Sequence, residues 1–362
     1  MRLPRIYALG NSPLLSVLSH QIASLALQPK VPEVVLLLQD QKKLSRFLKN
    51  NSKLAVNEEF DTADKSKQLM ASCSPPAFAS GEIAKVENLI VGEPRRNTLH
   101  NSIGKYSQSI SPETNVLLLN AELGSVEYLN ESIWPNEAQR PNLLIGDTDP
   151  NFHVWLNDEF SAKHRGYRSK LRIIPVPREF SSHSEIGDVS GSELSTKENS
   201  FINLLCQLNR DDGTRALNLT MGDYNNYVIH KFRILSRKFC IGSLSVLNGC
   251  RQDEVKLSPR ATTLMRELSA EHNKILNVAY PHISNENLFD VEQVLNAPSH
   301  ITTKSFLAGD DTVSSKTLSD LSRISAQFHY LASRNKVACP KSRIISTLVR
   351  GKLDIMQKRR MI

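Results

Sequence analysis

The chain has 362 residues, 40% of them hydrophobic and 23% charged, with a formal net charge of +8; that is the composition of a globular protein long enough for two domains with cores of their own. Its longest apolar runs, Val34 to Leu38 and Val116 to Leu119, are strand-sized and fall far short of the roughly 18 residues that a membrane-spanning helix needs. The five cysteines, Cys73, Cys206, Cys240, Cys250 and Cys339, show no CxxC spacing, which argues against a disulfide framework or a zinc ribbon and for a reducing compartment.

In chain order, Arg5 to Leu15 (RIYALGNSPLL) reads as strand, tight turn and helix. Ile6, Ala8 and Leu9 make a buried strand ended by Gly10, and from Pro13 onward Leu14, Leu15, Leu18, Ile22 and Leu25 recur at helical spacing, with Ser16, Ser19, His20 and Gln21 on the other face. That is the frame of a Rossmann crossover, but the second and third glycines of a dinucleotide turn are replaced by Ser12 and Leu15. VVLLLQD is a second buried strand. Gln41 to Asn51 is a short basic helix, with Leu44, Phe47 and Leu48 on one face and Lys42, Lys43, Arg46 and Lys49 on the other. Further strands are expected at Ala84 to Val91, Asn115 to Leu119 and Asn142 to Gly146, with Leu171 to Val176 the last of a first domain, residues 1–180.

Residues 181–200 hold seven serines and no aromatic residue, the composition of a flexible linker. Beyond it the period turns helical: Phe201 to Leu208, Tyr224 to Phe239, Pro259 to Tyr280, Asn287 to Leu295, Lys316 to Ser333 and Pro340 to Gln357, with Ser258-Pro259 as a cap and first turn. The second domain, 201–362, is therefore all-helical. The net charge belongs to its end, where Arg334, Lys336, Lys341, Arg343, Arg350, Lys352, Lys358, Arg359 and Arg360 stand against Asp354 alone. Such a cluster attracts the phosphates of RNA or of anionic lipid, or is a solvated helix face.

An α/β domain that opens on a glycine turn and is followed by an all-helical domain resembles ketopantoate reductase. LLLNAELGSVEYL at Leu117 to Leu129, HKFRILSRKFCIGSLSVLNG at His230 to Gly249 and the stretch from Leu318 to Lys352 with Pro340 carry the resemblance. It implies an N-terminal Rossmann-like parallel sheet and, residue by residue, a largely dismantled site. Gly10 survives as the first glycine and Ser12 stands for the second. Gln39 occupies the place of the arginine that meets the NADP 2′-phosphate, and Asp40 lies further from Gly10 than the spacing of about twenty for an NAD ribose contact. Ala121 replaces an asparagine, Lys231 matches the general-acid lysine, Leu235 replaces the asparagine one turn later, and Asp320 loosely matches the closing-helix acid. Lys231 and Asp320 are thus vestigial catalytic candidates, Gly10 and Ser12 vestigial cofactor positions, and no cofactor is expected.

VPEVVLLLQDQKKLSRFLKNNSKL, LMASCSPPAFASGEIAKVENLIV, SPETNVLLLNAEL, QRPNLLIGDTDP and TLVRGK are similar to the yeast mitochondrial translational activators of cytochrome b, which share the reductase fold. That resemblance implies a non-enzymatic protein on the matrix side of the mitochondrial inner membrane, peripherally attached. It would promote translation of cytochrome b messenger RNA through the 5′ leader and the mitochondrial ribosome, beside other activators. The candidate contacts to RNA, ribosome or membrane are Lys231, Arg233, Arg237, Lys238, Arg350, Lys352, Lys358, Arg359 and Arg360. The alternative is a divergent NADP-dependent 2-keto acid reductase relying on Gly10, Lys231 and Asp320. No Arg-rich, Ser-rich amphipathic leader is read before the first strand.

Overall fold

Apolar runs without alternation make strands that are covered on both faces, and the computed structural model places them in the middle of one large sheet. It describes residues 5–25, 33–61, 65–93, 95–149, 152–165, 169–178, 199–210, 216–283, 292 and 314–359. The chain begins Ile6–Gly10 (β1), Pro13–Ala23 (α1), Val34–Leu37 (β2), Gln41–Lys49 (α2), Lys53–Glu58 (β3), Ser66–Gln68 (β4), Met70–Ser72 (β5) and Asn88–Gly92 (β6). Arg96–Gly104 (α3), Asn115–Leu119 (β7), Ser125–Ser132 (α4), Asn142–Thr148 (β8), His153–Asp158 (β9), Ser161–Arg165 (β10), Ser169–Pro175 (β11), Ser200–Gln207 (α5) and Leu217–Met221 (β12) follow. The remaining described elements are helices: Tyr224–Asn248 (α6), Gln252–Val255 (α7), Pro259–Ala279 (α8), Ser315–Arg334 (α9) and Pro340–Arg359 (α10).

Eight strands form the main sheet in the order β12-β11-β8-β7-β6-β1-β2-β5. From β5 to β8 every neighbour is parallel; β11 then pairs antiparallel with β8, and β12 lies parallel to β11. A second sheet, β4-β3-β10-β9, was not foreseen, because Lys53–Glu58 and His153–Arg165 carry too many polar residues to read as strands. It packs on α1 from the side away from β1. Both faces of α1 are therefore covered, and Ser19 and Gln21, expected on an open polar face, are buried. The Gln21 carboxamide oxygen is oriented to the backbone N–H of Ala216, 2.7 Å away. Burial also lowers the pKa of His20 to about 4, with Lys67 of β4 adding to the effect.

Glycine decides how closely α1 approaches the sheet. A Cβ at Gly92 of β6 would stand 2.5 Å from Ser12 Oγ and 2.7 Å from Leu15 Cβ. The side chains that replace two turn glycines are thus received by a glycine in the neighbouring strand. Gly10 keeps φ at +116°, a conformation that side-chain-bearing residues rarely adopt, and this lets β1 turn directly into α1.

The two compact units divide at Tyr224/Asn225, which corrects the expected boundaries at 180 and 201. Phe201, Ile202, Leu204 and Leu205 of α5 and Leu217 and Leu219 of β12 are core residues of the first unit, so β12 rather than β11 is its last strand. Asn199, at the end of the expected linker, already caps α5 by accepting from the Phe201 and Ile202 N–H groups. The rest of that linker, 181–198, and the helix expected at Asn287 to Leu295, apart from Glu292, lie outside the described residues.

In the second unit Ser258 caps α8 and Pro259 fills its first turn, as expected. The following residues of α8, Glu271 and His272, bind the other helices. Glu271 accepts from the N–H groups of Lys341 and Ser342 at 3.0 and 2.9 Å, capping α10 from outside. His272 stacks on Phe328 of α9 at 3.9 Å and bonds Ser236 of α6 (2.9 Å) and Ser342 of α10 (3.3 Å). Burial holds the His272 pKa down at about 3 and pushes the neighbouring Cys240 thiol up to about 12.

Two measurements test these contacts. Gly92→Ala is expected to destabilise the first unit by about 1–3 kcal/mol in urea titration, with part of the loss recovered in a Ser12→Gly background. Because His272 has a lower pKa folded than unfolded, the unfolded chain takes up its proton first as pH falls. Stability of the second unit should be complete above pH ~6.5 and decline toward pH ~3, by up to about 2 kcal/mol at pH 5, with a flatter profile in His272→Gln.

Candidate functional site

In an open α/β sheet, ligands meet the carboxyl ends of the central strands. A cleft of about 470 Å³ lies at that edge of the first unit, lined by Gly10 at the end of β1 and Asn11 after it, Gln39 after β2, Glu93 after β6, Lys43 of α2 and Tyr106 after α3. The local sequence explains its shape. Asp40 is the cap of α2, accepting from the Lys43 N–H at 2.7 Å, so its carboxylate is committed to the helix. Ser12 caps α1 by accepting from the Leu15 N–H at 3.2 Å.

Lys43 was expected on the solvated face of α2. It is instead buried, its ammonium donating to Asn11 Oδ1 at 2.8 Å, while Leu48 of the expected apolar face is exposed. Desolvation lowers the Lys43 pKa, with Arg46 adding to it against nearby carboxylates. Lys105 donates to the carbonyls of Cys73 (2.6 Å) and Gln39 (3.2 Å). Tyr106 is buried against the cleft and its pKa is pushed up to about 12 by desolvation. Lys43, Lys105 and Glu93 were missed in the sequence because nothing in their local spacing marks them; sheet order alone brings them to Gly10.

A dinucleotide pyrophosphate needs open backbone at the turn and free N–H groups at the helix start. Here Glu93 Cγ and Oε1 lie 3.1 Å from where a Gly10 Cβ would be, so a carboxylate stands on the glycine that phosphate should approach. Ser12 occupies the second-glycine position with a side chain that takes a helix N–H for itself. The residues present do not fit a dinucleotide phosphate at this turn, by bulk and by charge.

The other predicted positions lie in two places. Ala121 in the first unit and Leu235 in the second are buried apolar residues. On α6, Lys231, Arg233, Arg237 and Lys238 are half-buried rather than spread on an open face. The Lys231 ammonium lies 5.7 Å from the Tyr227 ring centroid. Burial lowers the pKa of Arg237, and that of Lys238, where Asp320 opposes the shift and Lys231 and Arg323 add to it. Asp320 of α9 thus faces Lys238, and it pairs with Arg323 at 3.6 Å.

On α10, Arg350 donates to Ser322 Oγ at 3.1 Å, and Lys352 donates to the Val246 carbonyl near the end of α6 at 2.5 Å. Lys352, a candidate contact in the sequence, thus ties α10 to α6. Lys358 and Arg359 are exposed; Arg360 lies outside the described residues. Among the described residues no group of three or more His, Cys, Asp or Glu side chains could hold a metal ion.

The chain is 32% identical over 385 aligned residues to the cytochrome b translational activator CBS2 of Saccharomyces cerevisiae, covering 99% of this chain and 97% of that protein. It is 23% identical to a probable 2-dehydropantoate 2-reductase of Schizosaccharomyces pombe, over 83% of this chain and 81% of the other. Among solved structures it is similar to a candidate 2-dehydropantoate 2-reductase of Enterococcus faecalis, with a TM-score of 0.63 at 15% identity over 98% and 99% of the two chains. It is also similar to a ketopantoate reductase of Ralstonia eutropha, with a TM-score of 0.60 at 11% identity over 98% and 99%. No protein-family model matches.

The turn geometry sets an expected outcome. The chain should show no saturable NADPH binding in the micromolar range by nicotinamide fluorescence. Glu93→Gln combined with Ser12→Gly should raise affinity about tenfold or more by removing the charge and reopening the helix start; no gain would show that the turn is not what excludes the cofactor.

Proposed function

The chain belongs to the family of the yeast cytochrome b translational activator, and from that premise we propose that it promotes translation of cytochrome b messenger RNA as a non-enzymatic protein with the ketopantoate reductase fold. The observation that carries this reading is the end-to-end identity of 32%, which spans both units. Likeness to reductases at 11–15% identity speaks for the fold alone. The substitutions at the turn favour the same reading, because reduction requires nicotinamide held at near-attack distance and loose placement can lower the rate about a hundredfold.

The activator acts at the 5′ leader of the messenger together with the mitochondrial ribosome and other activators, peripherally attached on the matrix side of the inner membrane. No described helix is long and apolar enough to cross a membrane. Contacts come from the cationic surface of the helical unit. Arg350, Lys358 and Arg359 are exposed there, whereas Lys231, Arg233, Arg237 and Lys238 form a half-buried second group on α6. Exposed arginine and lysine supply phosphate affinity; sequence preference in RNA needs bases stacked on aromatic rings, and aromatic residues are only 6% of this chain. Phosphate recognition therefore suits this surface better than a base-specific reading of the leader. A divergent reductase is the second reading, favoured by Lys231 and by the relative in Schizosaccharomyces pombe.

Labelled protein synthesis in isolated mitochondria separates the two. Arg350→Glu, Lys358→Glu and Arg359→Glu together should lower cytochrome b labelling about fivefold or more while other products stay unchanged, since each reversal removes a phosphate contact. Lys231→Ala should leave cytochrome b labelling at the parental level. NADPH-dependent turnover of ketopantoate that disappears in Lys231→Ala would instead establish the reductase.

A further inference from the structure

Helix α10 has two apolar faces. Ile345 and Val349 point into the helical unit and are buried. On the outer side Ile344, Leu348 and Ile355 are 61%, 51% and 55% exposed. Their spacing, i, i+4 and i+11, sets them on one line along about 16 Å of helix. Large aliphatic side chains scattered singly over a surface need no explanation, but a line of them on one helix does. Among the described residues nothing requires this line, because the inner face already anchors the helix, with Glu271 capping its start and Lys352 tying its later turns to α6.

The charges around the line say what it suits. At 100° per residue, Arg359 falls on one side of it and Lys358 on the other, with Arg343 and Arg350 further round on the Lys358 side; Asp354 is the single acid of the helix. All four cations are exposed. Aliphatic residues along the middle with long cationic side chains on both sides is the pattern of a helix lying in the plane of a lipid–water interface. The aliphatics enter the acyl boundary and the arginine and lysine stems extend to the headgroups. An RNA backbone would engage the cations but offers the aliphatic line nothing to bury, and no aromatic ring is present on α10 for a base to stack on.

We propose that the outer face of α10, centred on Ile344, Leu348 and Ile355 and bracketed by Lys358 and Arg359, is the surface by which the protein docks on an anionic lipid bilayer. This rests on the reading that the protein works as a peripheral protein at a membrane, and it assigns that attachment to one helix face. Three aliphatic residues and a few cations give reversible, salt-sensitive attachment rather than insertion.

The test is flotation of the purified full-length chain with vesicles of phosphatidylcholine alone and of about three parts phosphatidylcholine to one part phosphatidylglycerol. The chain should float with the anionic vesicles, be released from them by high salt, and stay behind with neutral ones. Leu348→Glu with Ile355→Glu should lower partitioning about tenfold or more, as should Lys358→Glu with Arg359→Glu, with thermal midpoints unchanged because these side chains are exposed. No binding to anionic vesicles, equal binding to both compositions, or unaltered flotation of the Leu348→Glu, Ile355→Glu variant each overturns the proposal. So does a dimer in light scattering that this variant dissociates, which would give the face to a second copy, or loss of RNA gel shift in it with flotation intact. Vesicle binding is read without translation, so its failure leaves the activator reading to the labelling experiment, and failure there leaves the docking result standing.

Discussion

The first unit depends on the burial of α1 between two sheets. A helix that packs on one sheet needs one apolar stripe; α1 has β1, β2 and β6 beneath it and β3, β9 and β10 above. Its polar residues are consequently drawn inside, where Ser19 and Gln21 are buried and His20 is held neutral. The register of this sandwich is set where Ser12 and Leu15 sit over Gly92. Side chains at two turn positions that favour glycine in dinucleotide-binding folds are tolerated because the strand opposite has given up its own. The crossover therefore keeps its shape while losing the bare backbone that a pyrophosphate uses.

The same constraint shapes the cleft. Once the turn carries Ser12, the start of α1 is satisfied from within, and Glu93 lies against Gly10 where an anionic ligand would otherwise approach. Asp40, Lys43 and Lys105 are likewise engaged by neighbouring backbone or by Asn11. In the helical unit Glu271 and His272 play the structural part that α1 plays in the first, joining α8 to three other helices through a cap, a ring stack and two hydroxyl contacts. The polar groups central to each unit are thus bonded inward. The end of α10, by contrast, presents exposed Lys358 and Arg359.

Fold likeness and sequence likeness point to different proteins here. Structures of reductases match the architecture at 11–15% identity, whereas the translational activator matches the sequence at 32% along its whole length. A sheet can keep its switch point whatever chemistry is performed there, because the core residues that specify strand order are not the few that face a ligand. Gln39, Ala121 and Leu235 illustrate this: the first is an exposed residue at a strand end and the other two are core side chains, each compatible with the fold and none with the reductase role implied for its position.

The sequence by itself determined the buried strands at β1, β2, β7 and β8, the long helices α8, α9 and α10, the Ser258-Pro259 start, the eroded glycine turn and the family. Those features are local: uninterrupted apolar runs, helical periodicity, cap chemistry and motif likeness are all written in consecutive residues. Only the tertiary structure decided that a second sheet covers α1, that α5 and β12 return to the first unit, that Lys43 is buried while Leu48 is exposed, and that Lys352 ties α10 to α6. Short polar strands carry little periodic signal, and the partner of a lysine or glutamate is chosen by sheet order and helix packing among residues far away in the chain. For that reason Gly10 could be recognised as a turn from its neighbours alone, but Glu93, which closes that turn, could be found only in three dimensions.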